Sequence, residues 1–473
     1  MPEQHDLHDP VPTRAKVLVI GAGPAGLAAA AALKALEVPF DLVDRAKDVG
    51  GIWNLQREDS PVWPALEMVS SRESTQYEDM LQPVSFPEFL TPGQMAKYLR
   101  AYAARHELTA HFRPGVEVRS ARPFEDGVWQ VELSTGEIHV YGAVVSAHGI
   151  AERPHRPAWA SEVGHGTRVI HSSQWNGADG LEGQRVLVVG SGQSAADIAV
   201  DAARRALEVQ WSVRTGHWVV PRRIAGTPGD VLAAREPAVL GRLNGRIAEA
   251  VVSRAAGDPA SVGLPAPTAP LLEDSVIVSD DVLDRVREGR ITPVGAVTGV
   301  EDGRPVVAGL GPVAADLIIL ATGYETGAGH LPEGVVPRTA SGDLDLFLGA
   351  FPRGRDDLVV LGQQRVTGGV LPVLVEQADV AAYLLRARLD GAAGSPGTGI
   401  EQFRRLRAGS DSAVPTAPAP GTGGEGLRGR IGSLLGGGAR RPAAVESTGE
   451  RLVPFTDREQ LLARLRTVRS LLS

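Results

Sequence analysis

Cysteine is absent from all 473 residues, so a thiol nucleophile, a disulfide relay and an iron–sulfur cluster are excluded in this chain. Aromatic residues make up only 5%, which argues against a substrate pocket built chiefly of rings. The longest apolar runs are short and broken by glycine or charge, so no transmembrane helix is expected. No basic run offsets the net charge of −8, and a nucleic-acid surface is disfavoured. Metal-binding spacings such as H-x-x-H and H-E-x-x-H are missing, and the 11 histidines are scattered. The opening stretch MPEQHDLHDPVPTR lacks a basic-then-apolar signal pattern. It reads as a flexible leader over residues 1–14 of a cytoplasmic protein. What remains is the make-up of a soluble globular chain, 43% hydrophobic and 22% charged, long enough for two or three domains.

The chain is organised around Val17-Leu-Val-Ile-Gly21-Ala-Gly23-Pro24-Ala25-Gly26 and the alanine-rich run after it. Four apolar residues form a strand buried on both faces, and the glycines turn it sharply into a helix. Gly21 allows the turn, Gly23 admits a pyrophosphate to the backbone N–H groups, and Gly26 lets the helix approach the sheet. A second strand, Phe40–Asp44, ends in a carboxylate about 20 residues on, where a ribose hydroxyl needs an acceptor. Arg45 follows it, and then Gly50-Gly51-Ile52-Trp53, which brings backbone and an indole towards a flat ring system.

Further along, Ser70-Ser71-Arg-Glu-Ser-Thr-Gln76-Tyr77 is a dense polar stretch suited to lining a pocket or to capping turns. Thr91 caps a helix with Pro92 at its first position, and alternating runs near 116–119, 128–133 and 138–141 read as strands. Ala143–Ser146 is a buried strand that ends in a small-residue turn at Ala147-His148-Gly149.

A second glycine unit then appears. Arg185-Val-Leu-Val-Val-Gly190-Ser-Gly192-Gln193-Ser194-Ala195 repeats the strand–turn–helix signature. Its next strand ends at Ser212-Val-Arg214, a cation where the first unit ends in an acid. An acid there suits a free 2′-hydroxyl and an arginine suits a 2′-phosphate, which favours NADP over NAD in this unit. Beyond a mostly helical excursion over 225–275, Leu317–Leu320 ends in Ala321-Thr322-Gly323-Tyr324, and Leu371–Leu389 reads as a helix. Residues 391–450, rich in Gly, Pro, Ala and Ser, read as a flexible insert. Thr456-Asp-Arg-Glu459 reads as a capping box that opens an amphipathic last helix.

Over about 20–390 the chain resembles the flavin-containing monooxygenases, within the class B flavoprotein monooxygenases related to Baeyer–Villiger enzymes. The resemblance rests on GAGPAG at 21–26, the acid and GGxW spacing from Asp44 to Trp53, the A-x-G-x4-P-x2-P pattern from Ala147 to Pro157, HSSQW at 171–175, GSGQSA at 190–195 and ATGY at 321–324. It implies an α/β fold of two Rossmann-like dinucleotide-binding domains, an FAD domain with an inserted NADPH domain. The expected boundaries are 15–171 and 295–390 for FAD, 172–294 for NADPH, and 451–473 for the terminal helix.

By that resemblance, Gly21, Gly23 and Gly26 would hold the FAD pyrophosphate, Asp44 the adenosine ribose, and Gly51 and Trp53 the approach to the flavin. Gly190, Gly192 and Ala195 would hold the NADPH pyrophosphate, and Arg214 with Ser212 the 2′-phosphate. Ala321-Thr322-Gly323-Tyr324 would mark the return to the FAD domain. Ser70 and Ser71 occupy the region where heteroatom-oxidising members carry an asparagine near the flavin, and with His171 of the family fingerprint they are the candidate catalytic residues. Structural hydrogen bonding is nevertheless the favoured reading of His148 and His171. Trp175 in the same fingerprint is the choice of the Baeyer–Villiger branch.

The activity implied is NADPH-driven transfer of one oxygen atom from O2 to a small molecule through a C4a-(hydro)peroxyflavin, N- or S-oxygenation ahead of Baeyer–Villiger insertion into a ketone. An NADPH-dependent flavin oxidoreductase or oxidase without oxygen transfer is the alternative, and a nucleotide-binding regulator the third. No metal, membrane or nucleic acid is expected, and pairing of class members leaves a homodimer open.

Overall fold

The computed structural model describes residues 13–57, 59–124, 127–235, 241–271, 275–325, 327–340, 342–366, 368–391, 398–409, 414 and 455–473. The leader over 1–12 and most of 391–450 lie outside them.

Two five-stranded parallel sheets carry the fold. The first is built from β1 (Val17–Ile20), β2 (Phe40–Asp44), β3 (Phe112–Pro114), β4 (Ala143–Ser146) and a much later strand, Leu358–Val360. The second contains β5 (Arg168–His171), β6 (Arg185–Val189), β7 (Glu208–Ser212), β8 (Thr292–Val294) and β9 (Leu317–Leu320). With Leu358–Val360 as β10, the strand orders are β10-β4-β1-β2-β3 and β8-β7-β6-β9-β5. In each, the glycine turn follows the central strand, β1 or β6, where the order of connection reverses and ligands bind in open α/β sheets.

Alternation along the central strands explains the layering, since successive side chains leave a strand on opposite faces. Val17 and Val19 pack beneath helix α1 (Pro24–Ala35), while Leu18 and Ile20 face a three-stranded antiparallel sheet carrying Trp129, Val131 and Tyr141. In the second sheet Val186 and Val188 meet helix α2 (Gln193–Ala202), and Leu187 and Val189 meet Val307 and Val313. All eight of those strand residues are buried. Their small, closely packed helix partners, Ala28 to Ala32 in α1 and Ala195, Ala196 and Ala199 in α2, let each helix lie near its sheet.

The second sheet draws in β5 and β9, which lie outside the expected 172–294 window. A run of four buried apolar residues reads the same in either sheet, so the strand partner and not the local sequence decides where it belongs. Residues 391–450 differ from expectation where they are described. Thr398–Ala408 is a helix, and its Phe403, fully buried, meets Phe347 and Phe351 edge to face. One aromatic within a glycine-rich stretch is the sequence trace of that docking.

Helix α3 (Leu371–Leu389) packs on α1 and on the terminal helix α4 (Arg458–Leu472). The cap of α4 is Asp457, whose carboxylate accepts from the Glu459 and Gln460 N–H groups, one residue later than the capping box expected at Thr456. The buried Glu376 of α3 is answered by Arg466 at 2.9 Å and Arg469 at 3.2 Å.

Candidate active site

Each glycine turn is seated on the carbonyl that ends the neighbouring strand. Gly21 has φ of +102°, and a Cβ there would lie 2.4 Å from the Ala147 carbonyl oxygen. Gly190 has φ of +144°, and its Cβ would lie 2.2 Å from the Ala321 carbonyl oxygen. Both positions therefore require glycine for conformation and for space. Gly26 is more constrained still, since its Cβ would fall 1.7 Å from the Gly21 carbonyl oxygen.

The glycines that face outward behave differently. Gly192 has an ordinary extended φ of −92°, and a Cβ there would meet no protein atom within 4 Å. Nothing in the fold requires glycine at that point, whereas a pyrophosphate drawn to the helix N-terminus would. Gly23, with φ of −79°, stands at the start of α1, and a Cβ on Gly51 would come within 2.8 Å of its Cα. The Gly50-Gly51 backbone thus folds directly over the first turn, secured by Gly50 N–H donating to the Ala22 carbonyl at 2.9 Å. Half-buried Trp53 packs beside it against the first core, Pro24 and Ala25 open α1, and Ile52 is fixed by Ser60, which donates to its carbonyl at 2.7 Å. Exposed Arg45 pairs with Asp59.

Asp44 is buried, and its carboxylate accepts from the Ala22 N–H and the Ala46 N–H, both at 2.7 Å. It holds the first turn in shape, and each oxygen retains a lone pair for a ribose hydroxyl. In the second unit Ser191 Oγ accepts from the backbone N–H groups of Arg214, at 3.1 Å, and Thr215, at 3.2 Å. The exposed Arg214 is thereby set beside the turn. Ser212 donates its hydroxyl to the Gly295 carbonyl at 2.9 Å, so its only proton is directed away from any phosphate. Gln193 bridges both backbone groups of Val278 at 2.8 and 2.9 Å, Ser194 is exposed, and Ala195 is buried on the inner face of α2.

The turn after Ala321 also locks to the segment that follows the Ala147-His148-Gly149 turn. Thr322 Oγ1 donates to the His155 carbonyl at 2.5 Å, and His155 N–H donates to the Gly323 carbonyl at 2.9 Å. His171, at the end of β5 and fully buried, accepts the Ser173 N–H at Nδ1, which leaves its ring proton on Nε2 for the Gly323 carbonyl at 3.0 Å. Its ring meets Tyr324 edge to face at 5.1 Å. Burial pulls the His171 pKa down to about 4, overriding the Gly323 carbonyl, so the imidazole is neutral and structural. Trp175 is buried in the second core and donates to Asp201 at 3.2 Å.

Behind the first loop, His148 Nε2 lies 3.0 Å from the Gly327 carbonyl and must carry the proton. Its Nδ1 then accepts from Ser146 at 2.7 Å, and Ser146 accepts from His330 Nε2 at 3.0 Å. Burial lowers both histidines, His330 to about 3. Gln363 ties this cluster to the last strand of the first sheet by donating to the Gly149 carbonyl at 2.8 Å.

Ser70 and Ser71 lie together but have different duties. Ser70 accepts from Thr75 at 2.7 Å. Ser71 is fully buried, and both its N–H, at 2.7 Å, and its hydroxyl, at 3.0 Å, donate to Asp230, which Ser74 also contacts. Asp230 belongs to the excursion after the second glycine unit, so this contact spans the two halves of the chain. Arg222–Glu67 and Arg223–Glu88 flank it. No motif marks Asp230, and its partner lies 159 residues away, which is why the sequence pattern passes over it.

The family model described as FMO-like, flavin-binding monooxygenase-like, matches residues 14–390. The chain belongs to this family. Flavin-containing monooxygenase 2 of Homo sapiens is 28% identical over 386 residues, covering 77% of this chain and 72% of that protein. Among solved structures, cyclohexanone monooxygenase from Rhodococcus sp. Phi1 bound to NADP+ aligns with a TM-score of 0.61 at 18% identity, covering 81% of this chain and 85% of that one. S-allyl-L-cysteine S-oxygenase from Allium sativum aligns at 0.55 and 18%, covering 83% and 84%. These likenesses agree with the two parallel-sheet units, and the family is one of flavin-dependent monooxygenases. Among the described residues no helix is long and apolar enough to cross a membrane, and no cluster of three metal-binding side chains occurs.

Protonation of the locked histidines has a definite sign. His171 and His330, held below the usual 6.5, contribute stability that is complete above that pH and lost as pH falls through about 4 and about 3. Asp197, raised to about 7 by burial, acts in the opposite sense and loses its contribution as pH rises through about 7. A His171→Gln comparison isolates the histidine. Between pH 6.5 and 4 the wild-type denaturation midpoint is expected to fall more steeply than that of the variant.

Proposed function

We propose that this chain is an NADPH-using, FAD-dependent monooxygenase that transfers one oxygen atom from O2 to nitrogen or sulfur of a small molecule. The observation that carries the reading is the pair of glycine turns, one backed by an acid at Asp44 and the other set beside a cation at Arg214. Supporting it is the outward glycine Gly192, where the backbone is bare for a reason the fold itself does not supply. The relatives of N-oxide-forming name favour heteroatom oxidation.

Bound FAD supplies the redox chemistry, taking hydride from NADPH and activating O2 for transfer of a single atom. The chain's own residues bind, orient and exclude water. Gly21, Gly23 and Gly26 with the N-terminus of α1 receive one pyrophosphate, and Asp44 takes the ribose of the same nucleotide. Gly51 and Trp53 close over the flavin approach. Gly190, Gly192 and α2 receive the second pyrophosphate, and Arg214 takes its 2′-phosphate without help from Ser212. The interlock of His171, Thr322 and Gly323 holds the two nucleotide sites in one relation, which is what a hydride handover demands. The Ser71–Asp230 contact keeps the polar wall at 70–75 against the second half. Ser70 and Ser71 act in this reading by shaping that wall, and His171 as a positioning residue. A cytoplasmic setting is part of the proposal.

Removing a charge-assisted phosphate contact is worth about 1.5–3 kcal/mol. Arg214→Gln is therefore expected to raise the KM for NADPH by about 10- to 100-fold while leaving that for NADH nearly unchanged. An equal effect on both nucleotides would remove Arg214 from the 2′-phosphate site. With a panel of thioethers, tertiary amines and ketones, NADPH consumption is expected to match product formation for the first two classes. Coupled turnover of ketones alone would assign ester-forming insertion instead.

A further inference from the structure

The two glycine turns share a backbone register and differ in what ties them to the neighbouring strand. Gly21 N–H donates to the Val43 carbonyl at 2.8 Å, and Gly190 N–H donates to the Ser212 carbonyl at 3.1 Å. Ile20 pairs with Val43 in the first sheet as Val189 pairs with Ser212 in the second. Ala22 therefore corresponds to Ser191, Asp44 to Val213, Arg45 to Arg214 and Ala46 to Thr215. In the first unit the Asp44 carboxylate joins turn to strand end by accepting from the Ala22 and Ala46 N–H groups. The buried, apolar Val213 has no atom for that duty. Ser191 performs it from the other side of the gap. Its hydroxyl, on a buried residue, accepts from the Arg214 N–H at 3.1 Å and the Thr215 N–H at 3.2 Å.

The exchange alters both charge and proton supply. A carboxylate at the gap would repel a phosphate, whereas a hydroxyl is neutral. Two N–H groups fill both lone pairs of Ser191 Oγ, so donation of its one proton is the bonding capacity that remains, and none of the described residues accepts that proton. Ser212 is the reverse case, since its proton goes to the Gly295 carbonyl and it can offer lone pairs alone. The turn is also fixed around Ser191. Trp211 Nε1 donates to the Gly190 carbonyl at 2.8 Å, and a Cβ on Gly216 would lie 2.1 Å from the Ala266 carbonyl oxygen. A donor-only hydroxyl held next to an arginine suits a ligand group that is anionic and accepts hydrogen bonds, as a phosphate does.

We propose that Ser191 is a nucleotide-specificity residue. It does without charge what Asp44 does with one, and it donates its proton to the 2′-phosphate that Arg214 receives. The proposal rests on the NADPH reading of the second unit and is independent of oxygen transfer.

Calorimetric titration of the oxidised, FAD-loaded enzyme tests it without turnover, with the first cradle already filled. The ligands are adenosine 2′,5′-bisphosphate and adenosine 5′-monophosphate, which differ by the 2′-phosphate alone. The wild type is expected to favour the bisphosphate by at least about 10-fold. Ser191→Ala is expected to weaken the bisphosphate by about 3- to 10-fold and to leave the monophosphate unchanged. Ser191→Asp, which restores a carboxylate to the gap, is expected to remove the preference altogether. An undiminished preference in Ser191→Ala would overturn the proposal while leaving Arg214 at the 2′-phosphate. Equal weakening of both ligands would also overturn it, because Ser191 would then serve only the shape of the turn. A wild type that binds the two ligands equally would overturn the NADPH reading itself, and the role of Ser191 with it.

Discussion

The rest of the structure depends on one close contact made twice: a glycine turn lying directly on the carbonyl that ends the next strand. At Gly21 the carbonyl is that of Ala147, and at Gly190 it is that of Ala321. Any side chain at either glycine would drive the turn off its sheet and with it the N-terminus of the helix that follows. The contact also fixes where the chain goes next. Ala147 and Ala321 each lead into a small-residue turn, and the second turn bonds through Thr322 and Gly323 to His155 in the segment that follows the first. The two glycine turns are thus held to a common junction by the same backbone that shapes them.

Around that junction the polar side chains are largely neutral and already partnered. The half-buried His148 and the buried His171 and His330 have assigned tautomers, and their lowered pKa values keep positive charge out of the interior. Such a site contributes little acid–base chemistry of its own. It is suited to holding a reactive cofactor dry while hydride and oxygen move on the cofactor and substrate. Asp230 is one charged exception, bound across the two halves of the chain by Ser71 and Ser74.

Much of this was legible in the sequence, for identifiable reasons. Glycine turns, a strand-end acid and four-residue apolar strands are local signals, so β1, β6, Asp44 and the helix over 371–389 could be read directly. Partnership between distant segments is not local. The strand Arg168–His171 joined the second sheet through Leu317–Leu320, nearly 150 residues later, and Asp230 found Ser71 across the fold. Ser212 shows the complementary case, in which the right residue type stands at the right offset while its only hydroxyl proton goes to the Gly295 carbonyl. Phe403 shows that one buried ring can order a helix within a composition that reads as tether.

The central claim is that one atom of O2 reaches the substrate at the expense of NADPH. Turnover of a thioether under 18O2, with the product examined by mass spectrometry, tests it most directly. The account requires one labelled oxygen per sulfoxide, one NADPH consumed per product, and no label when 18O is supplied as water. NADPH consumption matched by hydrogen peroxide, with no labelled product from any nitrogen, sulfur or carbonyl compound, would contradict it and leave an oxidase built on the same two cradles.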